Sequence, residues 1–156
     1  MLKKPLLSGA LALLLATPAF AEIKIEDAYA RSASPMAKSG AAFLVISNEG
    51  GTADRLLGAR SEIAARTELH THLSGDGGVM RMVHVEEGFE LPADGTITMQ
   101  RGGKHVMLMG LTEPMEHGAT VTLTLTFEQA GDLVVEVPVD LERQDHGATM
   151  KGDQGS

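Results

Sequence analysis

The chain has 156 residues and a formal net charge of −8, with no cysteine, no tryptophan, one tyrosine and four phenylalanines against nine methionines and six histidines. Its acidic balance disfavours nucleic acid as a partner. The missing cysteine excludes disulfide frameworks, zinc ribbons, blue-copper sites and binuclear thiolate centres, all of which need sulfur in the form of cysteine.

In chain order, residues 1–21 read as a secretory signal peptide. Lys3 and Lys4 precede the apolar run Leu11 to Leu15, and Ala19-Phe20-Ala21 offers small residues for a cut after Ala21. The apolar stretch is shorter than the ~20 residues that a bilayer span requires. The expected mature chain starts at Glu22 and suits a single domain with one core, 22–141.

From there apolar residues recur at every second position between turns containing Gly, Pro and Asp, which predicts strands. Short runs lie at 41–47, 79–85, 95–99 and 105–109, and a helical turn is expected only near 54–65. The clearest strand is 120–127, where Val121, Leu123, Leu125 and Phe127 point one way and Thr122, Thr124 and Thr126 the other. Leu133, Val135, Val137 and Val139 repeat the pattern after a turn at 129–132, so the two runs form a hairpin. An all-β sandwich or barrel follows. Residues 142–156 are polar and Gly-rich without alternation, and are expected to be a flexible tail.

The chemistry gathers in two stretches. In His105-Val106-Met107-Leu108-Met109, alternation puts an imidazole and two thioethers on one face, with His105 and Met107 about 7 Å apart along the strand. Leu69-His70-Thr71-His72 is followed by a Gly-rich turn at 74–78, and then Met80, Met82 and His84 alternate with Val79, Val83 and Val85. The Val face is the expected core, which leaves a Met/His face for solvent or a ligand. Met107 and Met109 as plain core fillers are the alternative. A thioether is a soft ligand with no proton to lose, and mixed with imidazole it favours Cu(I) over Zn²⁺, Mg²⁺ or Ca²⁺. No Gly-x-Ser-x-Gly elbow, His-Glu-x-x-His helix or phosphate loop occurs, so enzymatic activity is not expected.

The stretch from His70 through Gly102-Gly103-Lys104-His105-Val106-Met107-Leu108-Met109-Gly110-Leu111, then Leu123 to Glu128, closely resembles the periplasmic PCu(A)C copper chaperones. That resemblance implies a cupredoxin-like Greek-key β-sandwich in the periplasm, with His70, Met82, His105 and Met107 as the ligands of one Cu(I). It further implies delivery to the binuclear copper site of cytochrome c oxidase subunit II, alongside a thiol-bearing copper chaperone, with the membrane approached only through the partner. Sequestration of copper without a dedicated acceptor is the competing reading. The His70 to Met82 and Met82 to His105 spacings each carry one residue more than the family pattern, so His72 in place of His70 and Met80 in place of Met82 stay open. Met109 is expected to pack beside the site, Met36, Met99 and Met115 to lie in the core or at edges, and His84 and His117 to be solvated. His146 and Met150 are candidates for a second copper ion.

Overall fold

The computed structural model describes residues 22–144. The signal-peptide segment and the tail candidates His146 and Met150 lie outside these residues. In chain order the strands are β1 (Ile23–Ser32), β2 (Ser39–Asn48), β3 (Asp54–Arg60), β4 (Ala64–Ser74), β5 (Met80–His84), β6 (Phe89–Leu91), β7 (Thr96–Thr98), β8 (His105–Leu111), β9 (Thr120–Phe127) and β10 (Gly131–Pro138). They form two antiparallel sheets. One has the order β1-β2-β8-β4-β5 with β7 paired to β2, and the other has the order β10-β9-β3-β6. The chain passes repeatedly from one sheet to the other, in the manner of a cupredoxin-like Greek-key sandwich.

The period-two pattern explains the core. On β9 the residues Val121, Leu123, Leu125 and Phe127 are buried, and across the sandwich they meet Leu44, Leu69, Val106 and Leu108 from the first sheet. Each fully buried Leu contributes about 1.5–3 kcal/mol relative to exposure. Val106 and Leu108 are wholly buried, so His105, Met107 and Met109 belong to the opposite face of β8. Met99 and Met115 are core residues, while Met36 is 72% exposed.

Two expectations are corrected. Residues 54–65 form β3 and the start of β4 rather than a helical turn. A bulge between Leu56 and Gly58 interrupts the alternation, which is why this stretch does not read as a strand. Its first residue, Asp54, is buried and accepts backbone N–H bonds from Arg55, Gln129 and Ala130 at 2.7, 2.8 and 2.9 Å, tying β3 to the β9–β10 turn. Val79 is the second correction. It is 62% exposed rather than core, because β5 is the edge strand and packs mainly on β4, so only Val83 and Val85 reach partial cover.

Ordered contacts run past Leu141. Arg143 forks onto both oxygens of Asp27 at 2.7 Å and lies 4.0 Å over the ring of Tyr29.

Candidate metal centre

The β4–β5 hairpin forms as the His-Thr-His and Met-x-Met-x-His runs anticipate, closed by a short 3₁₀ turn at Asp76–Gly78. On the other side β4 pairs with β8. Strand β4 therefore lies between the two arms that carry the remaining donors. His70 stands directly opposite His105 on β8 and His84 on β5, and His72 stands opposite Met82. Met107 is opposite Glu68 on β4 and Ala41 on β2.

Ring centroids are 5.8 Å apart for His70 and His105, 5.4 Å for His72 and His105, and 5.7 Å for His70 and His84. His70 and His105 are buried, at 8% and 4% exposure, whereas Met82 is 47% exposed. Phe43 covers His105 from the β2 side at 6.1 Å and stacks in turn on Tyr29. A hollow of about 190 Å³, lined by Ala41, Phe43, His72, Arg101, Gly102 and His105, opens beside the imidazoles.

The turn before β8 orients two of the rings. Gly102 has φ of 79°, open without steric cost only to glycine, and the Gly103 N–H donates to the Gln100 carbonyl at 3.0 Å. The Gly103 carbonyl thereby faces His105 Nδ1 at 3.0 Å and His72 Nδ1 at 3.3 Å. A carbonyl only accepts, so both rings donate from Nδ1, and in a neutral ring that leaves Nε2 as a lone pair. His105 Nε2 lies 3.2 Å from Met82 Sδ. A thioether has no proton to give, so with the His105 proton on Nδ1 two electron-pair donors face each other here. Burial pushes the His105 imidazole below its usual pKa range, helped by His72 and His70 and opposed by the Gly103 bond, so the neutral ring is favoured.

His70 offers a further unpaired donor. Its Nε2 is 2.8 Å from Glu68 Oε2, and its Nδ1 is buried with no hydrogen-bond partner. The structure thus brings His70, Met82 and His105 together, and sets Met107 one step along β8 on the same face. His72 is equally close to His105, so imidazoles flank that ring on both sides. Met80 is set apart: its Sδ accepts from Ser74 Oγ at 3.3 Å, two positions nearer the hairpin tip than Met82. Met109 Sδ is engaged by Arg66 at 3.5 Å. His84 is solvated, as expected, yet it stands beside His70 and within 3.7 Å of Glu68. His117 is half-exposed, and its Nδ1 accepts from the Leu141 N–H at 3.2 Å.

Glu68 is the neighbour that sequence reasoning missed. Its signal was available, since Glu68, His70 and His72 share one strand face, but its meaning depends on which strands pair.

The profile of a protein family described as "Putative lipoprotein LpqE-like" matches residues 23–139, nearly all of the described chain. The chain belongs to the LpqE-like family. A curated relative, "Putative lipoprotein Lxx21020" of Leifsonia xyli subsp. xyli, is 36% identical over 99 residues, 64% of this chain and 59% of its own length. The chain thus spans about three-fifths of that relative. Among solved structures, the copper-bound PCuAC domain from PmoF2 superposes with a TM-score of 0.63 at 24% identity, covering 79% of this chain and 96% of that domain. The solution structure of CuI-DR1885 from Deinococcus radiodurans is similar with a TM-score of 0.60 at 32% identity, covering 85% of each chain. The fold is that of the PCuAC domains.

Proposed function

We propose that this protein is an exported, non-enzymatic copper carrier. It holds one Cu(I) through His70, Met82, His105 and Met107 and passes it to an acceptor. The observation that carries this reading is the convergence of electron-pair donors with no hydrogen to share: His105 Nε2 against Met82 Sδ at 3.2 Å, beside the buried, unpartnered Nδ1 of His70. Such a cluster is unfavourable alone and suits a soft monovalent cation. No group of three or more His, Asp or Glu side chains among the described residues is arranged to hold a metal ion, and in this reading the thioethers of Met82 and Met107 complete the centre. The neighbours support the same cargo, since PmoF2 is described as copper-bound and DR1885 as its CuI form.

The burial gradient gives a release order. The imidazoles of His70 and His105 are sheltered and Met82 is open, so an incoming ligand displaces Met82 first and the imidazoles afterwards. The acceptor in this reading is the binuclear copper site of cytochrome c oxidase subunit II, approached with a thiol-bearing copper chaperone. Export in this reading follows from residues 1–21.

The test is a competition titration of the purified protein with Cu(I) against a chromogenic chelator, beside the double variant His105→Ala, Met107→Ala. Tight one-to-one binding that collapses in the variant supports the reading. Equal, weak binding in both refutes it.

A further inference from the structure

Glu68 has no part in the ligand set proposed above, yet it is held firmly against it. It precedes His70 by two positions on β4 and shares its face, with a side chain only 18% exposed. Its Oε1 is 3.0 Å from Arg66 Nε, and its Oε2 is 2.8 Å from His70 Nε2 and 3.7 Å from His84 Nδ1. The carboxylate is thus gripped on one oxygen by a guanidinium and on the other by an imidazole nitrogen, and acts as an acceptor at both.

An ionised carboxylate accepts and never donates. The 2.8 Å contact between Glu68 Oε2 and His70 Nε2 then needs the ring's proton on Nε2. The opposite tautomer would aim a ring lone pair at the carboxylate and bury an N–H at Nδ1, where the structure offers no acceptor.

We propose that Glu68 is a positioning residue of this centre, which fixes His70 as the Nε2–H tautomer and so presents Nδ1 to the metal. The inference rests on the copper reading for its consequence but not for its geometry. The centre then uses unlike nitrogens, Nδ1 of His70 and Nε2 of His105, because their anchoring acceptors, the Glu68 carboxylate and the Gly103 carbonyl, take opposite nitrogens of the two rings. A carboxylate bonded to the far side of a ligating imidazole also raises its basicity. Here it places a negative charge close to a cation whose proposed ligands are all neutral.

The experiment uses ¹⁵N-labelled protein and long-range ¹H–¹⁵N correlation spectra of the imidazoles at neutral pH, first without metal. His70 is expected to show a pyridine-type Nδ1 and a pyrrole-type Nε2, with His105 the reverse. Added Cu(I) should shift His70 Nδ1 and His105 Nε2. In Glu68→Ala the His70 preference should relax and Cu(I) affinity should fall about 10–100-fold, the usual cost of losing such an outer partner. Glu68→Gln, whose amide oxygen still accepts, should restore the tautomer and most of the affinity. A metal-free wild type with the His70 proton on Nδ1 overturns the proposal. So does a Glu68→Ala protein that keeps the tautomer, or one that relaxes it without losing affinity. A wild type that takes up no Cu(I) overturns the copper reading alone, because the metal-free spectra still decide what Glu68 does.

Discussion

The hairpins β9–β10 and β4–β5 are built from the same alternating pattern and use it differently. In β9–β10 the apolar face of β9 is sealed, with Leu123 and Leu125 at 0% exposure, that of β10 is partly covered at Leu133 and Val135, and the outer face is tied by polar pairs: Thr122 to Glu136 at 3.0 Å and Thr126 to Asp132 at 2.8 Å. In β4–β5 the outer face carries imidazoles and thioethers, and the tip leaves Leu73, Val79, Met80 and Met82 about half or more exposed. One hairpin spends its side chains on the core. The other leaves thioethers and apolar side chains open to solvent. An edge strand with exposed apolar residues is a liability in a protein selected for stability alone, and here that edge lies beside the His cluster.

Three substitutions sharpen that contrast. The largest effect is expected from Leu123→Ala in β9, which should lower unfolding free energy by about 2–5 kcal/mol. Chemical denaturation measures it, and the variant that still folds should bind Cu(I) as the parent does. Met82→Ala in β5 should do the converse. With its side chain half in solvent, stability should change by less than about 0.5 kcal/mol, while Cu(I) affinity should fall at least about tenfold, or ~1.4 kcal/mol. Met80→Ala, two positions nearer the tip, should leave affinity within about twofold in the same titration. Equal losses for Met80 and Met82 would break the contrast between a ligand and its exposed neighbour.

The smallest effect concerns pH and the β9–β10 side. The Arg60 guanidinium at 2.7 Å, with the Thr126 hydroxyl, holds the Asp132 carboxyl below its ordinary 3.8. A carboxyl lowered on folding contributes stability above its unfolded value and loses it as pH falls through the folded one. Asp132→Asn should therefore slightly lower the melting temperature at neutral pH and converge with the parent in strong acid. A difference that persists unchanged to the lowest pH would assign the effect to packing instead.

Much of this was legible beforehand. The face of β8 that bears His105 and Met107 follows from Val106 and Leu108 alone, because side chains in a strand alternate with a period of two. The β4–β5 hairpin follows from two alternating runs around glycines. Residues 54–65 were obscured by a bulge, which breaks that period locally. Val79 was misplaced because alternation tells which face a residue occupies, and not whether anything packs against it there. Glu68 was overlooked as a neighbour of the centre, and His84 was read only as solvated, for a related reason. Each is an ordinary polar residue on a strand until the registers β4 to β8 and β4 to β5 set it against His70.

The sequence by itself determined the class of fold, the kinds of donor atom and the strand faces that carry them, since all three depend on side-chain chemistry and local period. Only the tertiary structure decided which of these side chains meet, which are sheltered and which acceptor each ring nitrogen faces. Those properties arise from pairing strands distant in the chain and from the acceptors, Gly103 and Glu68, that the pairing places behind the rings.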